Sequence, residues 1–286
     1  MKNVFTLLFL IASITLQLSA QNGTPQNAGA RGAAMGNASV TFTDINSAFS
    51  NQAGLAFLEE LSFTAYGERR FLAEGLNSFL FAAAYPIDKI GTVGLTINYF
   101  GFNAYNEQKI GLSYARKLAK NFSLGAQFDY LATRIPDYGT AASFTFEIGM
   151  LAQLSKQVTL AAHTYNPINS KVAGLDRLPN LVKIGVGYSP SDKVTLTGEL
   201  EKDIYNFPLV GKIGVEYRPM KALAIRAGFA ANQPTMASFG LGLYLQGLRI
   251  DVASSYHQIL GLTPSVSISY GLNPKKVSST PEEINE

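Results

Sequence analysis

The 286 residues are 47% hydrophobic, 11% aromatic and only 15% charged, with a formal net charge of +3. That balance excludes a disordered chain and offers no dense basic face for nucleic acid. There is no Cys, and His163 and His257 are the only histidines. A disulfide scaffold, a thiolate metal site, a catalytic thiol and a multi-histidine metal centre are therefore excluded.

Residues 1–20 carry Lys2, an apolar run from Val4 to Leu18, and Leu18-Ser19-Ala20 before Gln21. This is the pattern of a cleaved secretory signal peptide, favoured over the alternative of a membrane anchor because polar Thr6, Ser13, Thr15 and Gln17 dilute the run. Residues 21–60 are a separate segment, rich in Gly, Ala, Asn and Ser up to 58. One short helix is expected over 44–58, with Asp44 as its N-cap.

From 61 to 272 apolar residues recur at every second position, the signature of strands with two unlike faces. Fourteen runs are expected, at 61–70, 76–86, 91–100, 107–117, 121–133, 141–153, 157–165, 180–189, 193–202, 209–218, 222–231, 236–246, 248–257 and 263–272. Connections after even-numbered runs are tight, and the others tend to be longer, the longest spanning 166–179. An even strand count with short turns at one end and longer loops at the other fits an all-β, antiparallel transmembrane barrel with its short turns in the periplasm. Tyr85, Tyr114, Tyr188 and Tyr217 stand just before short turns on the apolar parity, where rings at headgroup depth form a girdle. A soluble sandwich alternates in the same way but calls for neither the girdle nor two classes of loop.

The other parity carries the charges, among them Glu147, Lys183, Glu199, Lys212, Glu216, Arg226, Arg249 and Asp251. Each would cost about 2–4 kcal/mol facing lipid at mid-membrane, so they are expected in the lumen, where the mixed signs predict ion pairs. Gly94, Gly125, Gly149, Gly185, Gly214, Gly228 and Gly240 share this parity. Either the N-terminal segment presses on them as a plug or they relieve crowding.

No nucleophile elbow, Walker loop, HExxH or dinucleotide fingerprint is present. His163 and His257 read as lumen or rim residues, and Glu199 with Glu201 as lumen charge balance. No catalytic residue, metal or cofactor is assigned, and the chain is read as non-enzymatic. Residues 273–286 are expected to be a polar periplasmic tail.

The most specific signal is Gly29-Ala30-Arg31-Gly32-Ala33-Ala34-Met35-Gly36-Asn37-Ala38 followed by Asn51-Gln52-Ala53-Gly54-Leu55. It resembles the PorV/PorQ branch of the FadL-like outer-membrane proteins, which reads G-A-R-x-x-x-M-G, an acidic stretch, then N-P-A-G-L. Gln52 replaces the usual proline, and Asn37 stands where glycine is common. The resemblance implies a FadL-like barrel in an outer membrane of the Bacteroidota type, with Gly29, Arg31, Met35, Gly36, Asn51, Ala53, Gly54 and Leu55 as its plug motif. It further implies docking of cargo or protein partners in type IX secretion or a related assembly. The alternative it implies is a FadL-like transporter of hydrophobic small molecules. Outer-membrane lipid, a secretion or assembly machine and a hydrophobic ligand are the expected partners.

Overall fold

The computed structural model describes residues 27–172, 176–205, 208–231 and 235–272. The expected signal peptide and C-terminal tail lie outside the described residues. The strands are β1 (Leu61–Arg69), β2 (Asn77–Ile87), β3 (Gly91–Phe102), β4 (Tyr105–Ala119), β5 (Phe122–Ile135), β6 (Gly139–Gln153), β7 (Val158–Tyr165), β8 (Lys171–Val172), β9 (Asp176–Arg177), β10 (Leu181–Ser191), β11 (Val194–Asp203), β12 (Val210–Met220), β13 (Leu223–Ala230), β14 (Met236–Leu245), β15 (Leu248–His257) and β16 (Gly261–Leu272). All but β8 and β9 form one closed barrel, each pairing antiparallel with its neighbours, β7 with β10 and β16 with β1. The fourteen barrel strands coincide with the fourteen expected runs to within two residues at either end. The hairpin β8–β9 was not expected. It is two residues a side, too short for alternation to register.

Alternation sets the two faces. In β16 the hydroxyls of Ser265, Ser267 and Ser269 are buried, whereas Val266, Ile268 and Tyr270 point out. Large apolar side chains such as Phe239, Leu241 and Val252, more than half exposed, cover the outer wall. A surface this apolar suits acyl tails rather than water. Among the described residues no helix is long and apolar enough to cross a membrane. Tyr85, Tyr114, Tyr188 and Tyr217 ring the short-turn end on the outside. The Tyr114 hydroxyl donates to the Ile90 carbonyl at 2.6 Å, anchoring its ring at the boundary.

The N-terminal segment fills the interior. It contains the helix α1 (Gly29–Ala34) and two 3-10 helices, Ile45–Phe49 and Gln52–Phe57. The single helix expected over 44–58 is thus split. Asp44 does cap the first piece, accepting from the Asn46 amide, but Asn51 caps a second by accepting from Ala53. The break turns the Asn51 side-chain amide onto the Val40 carbonyl at 2.9 Å and the Met150 carbonyl of β6 at 3.2 Å.

Leu241 lies at the middle of β14, paired with Ile225 and Val252. Leu241→Arg is expected to cost about 2–4 kcal/mol of folding free energy in bilayers, measured by urea titration in vesicles.

Candidate functional site

Glycines on the inner wall let the plug's backbone ride directly on the strands. A Cβ on Gly228 would overlap the Gly36 nitrogen, and one on Gly214 would meet the Met35 carbonyl. Gly240 lies under Ala34, Gly185 under Val40, Gly149 under Asn51 and Gly125 under the Gln52–Ala53 peptide. The Gly36 amide donates to the Ser238 hydroxyl at 3.0 Å, and the Ser123 hydroxyl donates to the Ala53 carbonyl at 2.9 Å. Gly111 and Gly242 instead make room for the side-chain amide and charged groups of Gln127, Asp129, Arg226 and Asp251. Both readings of the glycines thus hold, at different positions.

The plug is tied to the wall by a closed ring of charge. Arg31 on α1 donates to Asp44 at 2.7 Å and to Glu216 of β12 at 2.9 Å. Glu216 accepts from Arg226 of β13 at 2.6 Å, and Arg226 donates to Asp251 of β15 at 2.7 Å. Arg249 pairs with Asp251 at 2.9 Å and donates to Asp44 at 2.7 Å, completing the circuit. Arg226, Glu216 and Asp251 are almost fully buried. Removing one partner of such a buried pair strands the other, at about 3–5 kcal/mol. Burial pushes the Asp44 carboxyl up, but Arg249 and Arg31 outweigh it and hold it well below the usual carboxylate range.

Two further clusters grip the plug. Glu147 of β6 accepts from Lys109 at 2.7 Å, lies 3.0 Å from His163 Nε2, and accepts from the Gln52 side chain at 2.8 Å. Glu199 of β11 takes the backbone amides of both Ser39 and Val40 at 2.9 Å. Behind it Lys212 bridges Glu199 and Glu201, and Lys183 pairs with Glu201 at 3.3 Å. The structure therefore brings Arg31, Glu216, Arg226, Arg249 and Asp251 together in one cluster, and Lys183, Glu199 and Lys212 in a second; Glu147 stands in a third. Gly29, the first residue of α1, and Gly36, in the turn after it, take positive φ. Met35, Ala53 and Leu55 are fully buried, and a Cβ on Gly54 would overlap the Phe42 carbonyl. Sequence reasoning did not single out Asp44, Gln52 and Ser39 as contact residues. The acidic position between the two motif halves pointed to Asp44, whereas a backbone amide donor such as Ser39 leaves no trace in sequence. Among the described residues no three His, Cys, Asp or Glu are grouped to hold a metal.

A second feature lies outside. The lipid-facing wall is indented across β5–β7 and β10–β13 by a hollow of about 930 Å³. Met150, Leu160, Ile184, Val186, Leu200 and Ile213 line it, and Ala162, Gly198 and Gly211 leave room between them. Outward Cβ atoms on Gly198 and Gly211 would meet only Val186 and Leu200 at ordinary contact distance. The hollow runs obliquely, from Phe122 and Ala152 near the short turns to Leu200, Gly211 and Ala231 near the long loops. Its floor is one backbone thick: Gly185 lines it from outside and meets Val40 from inside.

The chain is thus a closed fourteen-stranded antiparallel barrel stoppered by its own N-terminal segment. No family model matches the chain, and no curated protein matches it in sequence. Solved structures do share the fold. The toluene transporter TodX of Pseudomonas putida aligns with a TM-score of 0.66 at 12% identity, over 87% of this chain and 100% of that one. A FadL homologue of Pseudomonas aeruginosa aligns at 0.60 and 15% identity, over 87% and 99%. The monoaromatic hydrocarbon channel CymD aligns at 0.64 and 14%, over 86% and 98%.

The chain has no native Cys, so Ala33→Cys on buried α1 is a clean reporter of plug docking. It should resist maleimide in the folded barrel and become reactive when Arg31→Ala is added. Because Asp44 is held low in the docked state, its contribution is full above the ordinary carboxylate range and fades only in stronger acid. Protection should therefore stay constant from neutral pH to about pH 4, and a loss between pH 7 and 5 would contradict the assignment.

Proposed function

We propose that this chain is an exported outer-membrane barrel that admits hydrophobic small molecules, in the manner of the FadL-like channels whose fold it shares. The observation that carries this reading is the apolar hollow in the lateral wall, backed by the plug across a single layer of strands. The lumen itself is polar and stoppered, so an apolar solute finds its matching surface at the wall. TodX is named a toluene transporter, which makes toluene the first probe. Cells producing the barrel should take up radiolabelled toluene several-fold faster than cells without it. Gly198→Phe with Gly211→Phe, which fills the hollow, should return uptake to background. Equal uptake with and without the barrel would sink the proposal.

A second reading is supported by the N-terminal motif and by short outer connections such as 103–104 and 258–260. In it the chain is a PorV/PorQ-like docking partner in type IX secretion or a related assembly. Affinity purification from native membranes tests it, and recovery of the barrel with no secretion or assembly component would count against it.

A further inference from the structure

We infer that the β4–β5 and β6–β7 turns together form a seat for an anionic phospholipid of the leaflet at the short-turn end. The two turns carry the same pattern. Leu118-Ala119-Lys120 and Leu154-Ser155-Lys156 each place an exposed lysine two residues after a leucine that is itself more than half exposed. The turns are held side by side. The Gln153 amide donates to the Asn121 carbonyl at 2.8 Å, and the Asn121 side-chain amide donates back to the Gln153 carbonyl at 3.2 Å. The Ser155 hydroxyl accepts from the Gln157 and Val158 amides, both at 3.1 Å, which fixes the turn that bears Lys156. The two turns are two strand spacings apart, about 10 Å, a gap that two flexible lysine side chains can close onto one phosphate.

Neither lysine has an acidic neighbour in sequence: the chain holds no Asp or Glu from 108 to 128 or from 148 to 175. Among the described residues Arg116, Lys120 and Lys156 take part in no ion pair. Arg116 shares the parity of Tyr114 on β4 and is exposed, a third cation beside the pair. Lys117 is turned the other way, its Nζ lying 4.4 Å from the centre of the plug's Phe57 ring. The acids of the flanking short turns, Asp88 and Asp192, each adjoin a lysine of their own, Lys89 and Lys193. A lysine at the foot of an apolar wall lays its stem along hydrocarbon and carries its ammonium to headgroup depth, where cations draw anionic lipid. The apolar part of the seat is contiguous with the charged part. Phe122, two residues after Lys120, pairs with Ala152, and both line the short-turn end of the hollow. Leu118, Leu154 and Phe122 thus offer an acyl chain its surface, and Lys120 and Lys156 offer the phosphate charge-assisted hydrogen bonds. An acidic soluble protein has no use for a bare leucine beside each cation, so the pairing selects an amphiphile. Short turns of outer-membrane barrels are periplasmic, which makes the leaflet the periplasmic one. The inference stands on the two turns and is independent of the transport reading.

The test is native mass spectrometry of the full barrel released from nanodiscs containing equal amounts of phosphatidylglycerol and phosphatidylcholine. Phosphatidylglycerol should be retained several-fold over phosphatidylcholine. The double variant Lys120→Glu/Lys156→Glu should abolish that preference. Lys89→Glu/Lys193→Glu makes the same change of charge at the flanking short turns and should leave it in place. Heat-modifiable gel mobility confirms that each variant is folded. Glycerol 3-phosphate, which has the phosphate without the chains, should not displace the retained lipid. Equal retention of the two lipids, a preference that survives reversal at Lys120 and Lys156, or an equal loss in both double variants would each overturn the inference. Displacement by glycerol 3-phosphate would overturn it too, in favour of a site for soluble phosphate.

Discussion

In hydrocarbon an unpaired backbone amide or carbonyl costs several kcal/mol, and closure of β16 onto β1 removes every free edge within the wall. The remaining features follow from that constraint. A closed sheet has an inside, the period-2 alternation of its strands fills that inside with polar groups, and those groups need partners once water is excluded. The chain meets the need with its own N-terminal segment. Arg31 and Asp44 complete a charge circuit that Glu216, Arg226, Arg249 and Asp251 leave open.

Strand positions were legible because alternation is a strong local signal and because a membrane face tolerates few exceptions to it. Inward-facing charges were legible for the same reason: parity fixes the face. Parity does not fix depth or neighbour, so the sequence carried no hint that Glu147 would receive Gln52 while Glu199 received two backbone amides. The plug's helices were the least legible. A 3-10 helix of five or six residues has little stability of its own. Ile45–Phe49 and Gln52–Phe57 exist where strand carbonyls and glycine gaps hold them, and that information resides in residues a hundred positions away.

Two departures from the PorV/PorQ-type motif that this segment resembles have physical explanations. Asn37 follows Gly36, and both adopt left-handed φ, at 60° and 64°. Asparagine tolerates that region better than most residues, so the change from glycine keeps the turn. Gln52 is the first residue of its 3-10 helix, a place where proline is favoured because its missing N–H would be unpaired anyway. Giving up proline's preset φ gains a side-chain amide, which donates to Glu147 and links the plug to Lys109 and His163.

The glycine track and the charge ring have different consequences. A row of missing Cβ atoms lets a backbone approach the wall but is permissive about where along the strands it sits. Fixed charges are not permissive: moving the plug by one residue would part Arg31 from Glu216 and leave both buried without a partner. The glycines thus set how close the plug lies, and the ion pairs set its register. Because Gly185, which meets Val40, and Glu199, which takes the Ser39 and Val40 amides, also line the hollow, the plug and the outer hollow share β10 and β11 as a common wall.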